Sequence, residues 1–117
     1  MSFARWLTNY GHNVKLFELL DYQNNKCYKN PVIPKINQMN NAFINQCIKF
    51  KPDLLLVFKG EHIFKESLEI IKRKIRPIMA TFWVDDPFAY WDSAYNIRPF
   101  ENSLKSLLLW DYFFIYE

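Results

Sequence analysis

The chain has 117 residues, enough for one domain and no more. Its residues are 50% hydrophobic and 19% aromatic, which supplies a core and excludes an intrinsically disordered chain. The net charge is +3 with Lys and Arg scattered, unlike the clustered basic face of a nucleic-acid binder, and no apolar run approaches the roughly 20 residues of a membrane span.

Phe3, Trp6, Leu7 and Tyr10 follow helical spacing, and Gly11 stands where a left-handed cap closes helices. Residues 14–20, VKLFELL, read as a short strand. Residues 21–35 are polar, carry Pro31 and Pro34, and read as a long loop. Ile36, Met39, Asn40, Phe43, Ile44, Cys47 and Ile48 mark one face of a second helix, closed by Pro52. Residues 54–58 form an unbroken apolar run, as in strands covered on both faces. Phe64, Leu68, Ile71 and Ile75 mark a third helix, with Pro77 just beyond it. Its end carries Lys72, Arg73, Lys74 and Arg76, which suit the helix dipole without a partner. Residues 78–84 predict a third strand, followed by an aromatic, acidic loop. Phe100, Leu104, Leu107 and Leu108 mark a fourth helix, and residues 112–116 a fourth strand.

Helices alternating with strands predict an α/β fold: a Rossmann-like parallel sheet with helices on both faces, in one domain over 1–117. Such domains open with a strand, and here the first element is a helix, so the first strand is expected to be missing. In a flavodoxin-like order it would lie between the strands at 14–20 and 54–58. Those two strands would then keep open edges or pair directly.

Ligands of open α/β sheets bind at the carboxyl ends of the strands. The residues falling there are Glu18 and Asp21, then Lys59, Gly60 and Glu61, then Asp85, Asp86 and Pro87, and last Glu117. The adjacent carboxylates of Asp85 and Asp86 repel, so one calls for solvent, a hydrogen bond or a hydroxyl-rich partner, and either could serve as general base. A helix N-cap or turn before proline is the alternative reading. Gly60 permits a tight turn or a close ligand approach, and Lys59 suits a phosphate or carboxylate. A plain strand-to-helix turn explains them too. Trp83, Phe88, Tyr90 and Trp91 offer faces for stacking on a sugar, or belong to the core. Cys27 and Cys47 lack metal-ligand spacing and are expected as free thiols in a reducing cytosol. His12 and His62 read as surface residues. No signal-peptide pattern opens the chain, so a cytoplasmic location is expected.

The blocks SFARWLTNYGHNVKLFE, KPDLLLVFKGE, TFWVDDPF and WDYFFIYE resemble the N-terminal half of glycosyltransferases similar to the spore maturation protein CgeB. The resemblance covers nearly the whole chain in order. It implies a GT-B architecture of two Rossmann-like domains, with the nucleotide sugar held mainly by a C-terminal domain and the acceptor shaped by the N-terminal one. It places Lys59, Gly60, Glu61, Asp85 and Asp86 on the acceptor side, with Asp85 or Asp86 binding an acceptor hydroxyl. Trp83 and Trp91 are the stacking candidates there. It implies no bound metal or other cofactor.

The chain departs from that pattern in lacking the first strand with its glycine-containing loop and the donor domain. The expectation is therefore a truncated acceptor-side domain, inactive alone, meeting a nucleotide sugar only through the missing domain. The alternative is a non-catalytic interaction module with the same fold. A nucleotide-dependent oxidoreductase would rest on Glu18 alone, without the phosphate-binding glycine loop.

Overall fold

The structure, a computed structural model, describes residues 2–18, 33–60, 62–83 and 105–115. Helix α1 spans Phe3–Asn9, α2 Ile33–Phe50 and α3 Lys65–Lys74; strand β1 spans Leu54–Phe58, β2 Ile78–Trp83 and β3 Tyr112–Ile115. The strands form one parallel sheet in the order β1-β2-β3. No described helix is long and apolar enough to cross a membrane.

Helix ends follow local chemistry. The Ser2 side chain accepts the Arg5 amide at the start of α1. At its close, Gly11 takes φ 91° while its amide bonds Thr8 and that of His12 bonds Leu7, a complete Schellman cap. Helix α2 begins earlier than the proline count suggests. Ile33 is already helical, because Pro34 in a first turn gives up an amide that has no helical partner there. Helices α2 and α3 are followed by Lys51 and Arg76, both at positive φ, each just before a proline. The basic residues Lys72, Arg73 and Lys74 do occupy the last turn of α3, and Lys72 Nζ donates to the Leu109 carbonyl at 2.9 Å.

Period-two alternation sorts the sheet into two faces. Leu55, Val57 and Met79 point into a core completed by Met39, Phe43 and Cys47 of α2, Leu68 and Ile71 of α3, and Ile63. Thr81 shares that face, and its buried hydroxyl is satisfied by the Val57 carbonyl at 3.0 Å. The opposite face carries the exposed Leu54, Phe58, Ile78, Phe82, Tyr112 and Phe114 together with the half-buried Leu56 and the buried Ala80. Among the described residues, α1 meets it through the Phe3 ring, set edge-on to Phe58 at 5.9 Å.

Two expected elements differ. Residues 14–18 carry no strand, although Phe17 still packs on Phe43 at 5.5 Å. A strand needs a backbone partner, and none of the described strands pairs with these residues. Of the fourth helix, the described residues hold its α-helical Lys105 and a 3-10 turn that follows at Leu107–Leu109. Its register differs as well. Leu108 is 93% exposed while Leu109 packs on the core, since a tighter turn rotates each residue by 120° instead of 100°. Phe100 and Leu104 lie outside the described residues.

Asn40 binds these parts together. Its amide nitrogen donates to the Ile36 and His62 carbonyls, and its oxygen accepts from the Phe64 amide and the Ser67 hydroxyl, all at 2.8–2.9 Å. Phe64 is the N-cap of α3 and has no capping side chain of its own, so a residue of α2 serves instead. Asn40→Ala strands three inter-element polar groups in a low-dielectric site and should cost about 3 kcal/mol by urea unfolding. A loss below about 0.5 kcal/mol would show that water replaces the amide.

Burial pushes the Cys47 thiol up to about 11 from 9.0. The unfolded chain then loses this proton at lower pH than the folded one. The stabilisation is complete below pH 9 and is lost as pH rises towards 11. Cys47→Ala should flatten the fall in urea midpoint across that window relative to the parent chain; an unchanged slope would assign the fall to other groups.

Candidate functional site at the carboxyl ends of the strands

The parallel register gathers three strand ends on one rim. Phe58 pairs with Phe82, and Trp83 with Ile115, so β1, β2 and β3 finish side by side. Just beyond β1, the Lys59 amide donates to the Phe82 carbonyl at 3.0 Å and extends the ladder by one bond. Lys59 is exposed and sits at φ 53°, a left-handed conformation that costs a side-chain-bearing residue roughly 1–2 kcal/mol. The positive φ values at Lys51 and Arg76 belong to helix ends, where such caps are common. Lys59 has no helix to close.

Gly60 does stand in a tight turn, whose left-handed step falls on Lys59. Gly60 is buried, and a Cβ there would stand 2.7 Å from Val57 Cγ1 and 3.0 Å from Ile63 Cδ1. Its smallness lets the turn lie directly on the core. The Ile63 amide returns to the Gly60 carbonyl at 3.3 Å, and the next carbonyl, of His62, is held by Asn40. His62 is half-buried and contributes through its backbone, not as a plain surface residue.

Trp83 is 2% exposed, and its ring lies nearly parallel to that of Phe113 with centroids 6.4 Å apart. Its surface is used inside the fold, in keeping with the core reading among the two that its sequence position offered. It sits on the helix-covered face, where period-two alternation from Met79 and Thr81 puts it. Glu61, Asp85, Asp86 and Trp91 lie outside the described residues, as do Asp21 and Glu117. Glu18 is exposed. Among the described residues no group of His, Cys, Asp and Glu is arranged to hold a metal ion.

Set against protein-family models, curated proteins and solved structures, the chain gave no match. The rim is therefore read from its own chemistry. A lysine held at positive φ, on a turn seated against the core, presents one cation at the carboxyl edge of a parallel sheet. Such a cation suits an anionic or hydroxyl-bearing small molecule.

The sequence pointed to Lys59 and Gly60 but not to the positive φ at Lys59 or to the part of Asn40. A lone polar residue in an apolar helical stripe was the available signal. Gly60→Ala should lower stability by about 1–3 kcal/mol through overpacking. Lys59→Gly should leave stability within about 0.5 kcal/mol of the parent, because relief of the positive φ offsets the added chain entropy. Thermal unfolding of both variants checks these roles, and the opposite ranking would reverse them.

Proposed function

We propose that this chain is a Rossmann-like acceptor-side domain of the glycosyltransferase kind, binding a hydroxyl-rich sugar acceptor at the carboxyl rim of its sheet. The observation that carries the reading is Lys59. It is an exposed cationic residue kept in a costly backbone conformation at a strand end, where α/β proteins bind ligands and where strain tends to be retained for function. The resemblance of KPDLLLVFKGE and TFWVDDPF to CgeB-like enzymes supports the same rim. In that reading Lys59 and the turn at Gly60 orient the acceptor, with Glu61, Asp85 and Asp86 adding carboxylates that accept hydroxyl protons. One of the aspartates is the base that removes the acceptor's proton, while a second domain holds the nucleotide sugar. A reducing, cytoplasmic setting goes with this reading, as Cys47 is a buried free thiol.

The test is amide NMR of the chain titrated with simple glycosides, methyl glucoside and N-acetylglucosamine among them, and separately with UDP-glucose. The expected result is a saturable shift of the Lys59, Gly60 and His62 amides by a glycoside at millimolar concentration. Lys59→Ala should weaken it about fivefold, the worth of about 1 kcal/mol. Glycosides that leave these amides unmoved, or UDP-glucose alone moving them, would defeat the acceptor assignment.

The reading as an interaction module has its own observation in its favour, the open aromatic face of the sheet. Phe58, Phe82 and Phe114 bring that face up to the rim, so it is compatible with either function.

A further inference from the structure

We propose that the amino rim of the sheet docks on an anionic lipid surface, its cations meeting the headgroups and Leu108 entering the bilayer interface. The fold gathers there basic residues that the sequence scatters. Helices α2 and α3 each end where a strand begins, so in a parallel sheet both carboxyl ends lie at the amino rim of β1 and β2. The Ile78 amide donates to the Asp53 carbonyl at 2.9 Å and sets the two strand starts side by side. Lys49 and Lys51 stand at the end of α2, Arg73, Lys74 and Arg76 at the end of α3, and all five are exposed. Lys72 is half-buried, with Nζ on the Leu109 carbonyl. The carboxylates at this rim are Asp53 and Asp111, and Asp111 Oδ2 already accepts the Met79 amide at 2.8 Å. Six cations against two carboxylates exceed the +3 of the whole chain, so its positive charge is concentrated at one end. That end is opposite Lys59, and the inference does not depend on what Lys59 binds.

Helix dipoles account for only part of this charge. They favour cations in the last turns, but Lys51 and Arg76 lie beyond the helices. Among the described residues, none of the five exposed cations is in an ion pair. Like charges crowded on one rim repel, and an anionic partner relieves that repulsion.

Leu108 decides between anionic partners. It is 93% exposed, more than any other large hydrophobic side chain among the described residues. Its neighbour Leu109 packs on the core and gives its carbonyl to Lys72, which sets Leu108 at the basic end of α3. Leu54 and Ile78, the opening residues of β1 and β2, are exposed at the same rim. A nucleic-acid backbone offers such aliphatic groups no burial, whereas a bilayer offers both anionic headgroups and an apolar boundary.

Co-sedimentation of the full chain with vesicles tests this. Binding is expected at about 0.1 M salt to phosphatidylcholine vesicles carrying about 30% phosphatidylglycerol, with little on phosphatidylcholine alone and a marked loss at about 0.5 M salt. Each cation at such a surface is worth roughly fivefold in partitioning, so Arg73→Ala combined with Lys74→Ala should weaken binding at least about tenfold. Leu108→Ser should weaken it about tenfold by removing apolar burial. Lys59→Ala, on the opposite rim, should leave it unchanged. A chain that stays in the supernatant overturns the proposal, as does equal binding to the uncharged vesicles or an equal loss from Lys59→Ala. Indifference to Leu108→Ser also overturns it, and tighter binding to a DNA duplex in the same salt would then assign the rim to nucleic acid. If the double variant loses its far-ultraviolet circular dichroism, Lys49→Ala takes its place and must weaken vesicle binding at least about threefold, or the proposal fails.

Discussion

The fold depends on one side chain that is neither charged nor apolar. Asn40 sits in the apolar stripe of α2 and uses both amide hydrogens and its oxygen on partners in its own turn, in the turn after β1, and at the start of α3. A buried amide is tolerable only when satisfied, and here the partners are themselves groups that would otherwise be stranded. The Phe64 amide is a free donor at a helix N-terminus, and the His62 carbonyl lies in a turn. Each side therefore meets the other's need, and helix, turn and strand end are fixed relative to one another.

The turn so fixed is also the candidate site. Gly60 rests on Val57 and Ile63 from within the core, and Lys59 is forced through a positive φ to let the chain leave the ladder. A cationic side chain is thus displayed from a short, immobilised segment, and positioning of that kind separates a binding turn from a merely polar loop. The sugar-acceptor proposal draws on this geometry together with the resemblance to CgeB-like enzymes.

The two faces of the sheet have different histories in the energetics. One is filled by Met39, Phe43, Leu68 and Ile71, with Thr81 made tolerable by a ladder carbonyl. The other presents a stacked phenylalanine row to the surroundings. Among the described residues, α1 meets that row only at Phe58.

The sequence by itself determined the strands at 54–58, 78–83 and 112–115, the core faces of α2 and α3, and the cap at Gly11. Apolar runs, three-and-four spacing and a glycine beyond a helix act within a few residues and need no distant partner. Only the tertiary structure decided that residues 14–18 do not pair, since a ladder requires a neighbour, and that Trp83 turns inward, since alternation fixes sides but packing chooses which side is covered. It likewise decided that Lys59, and not Gly60, bends the chain. Both residues allow a turn in isolation, but the space against Val57 and Ile63 admits no Cβ at position 60 without displacement, so the glycine is consumed by contact and the lysine by conformation.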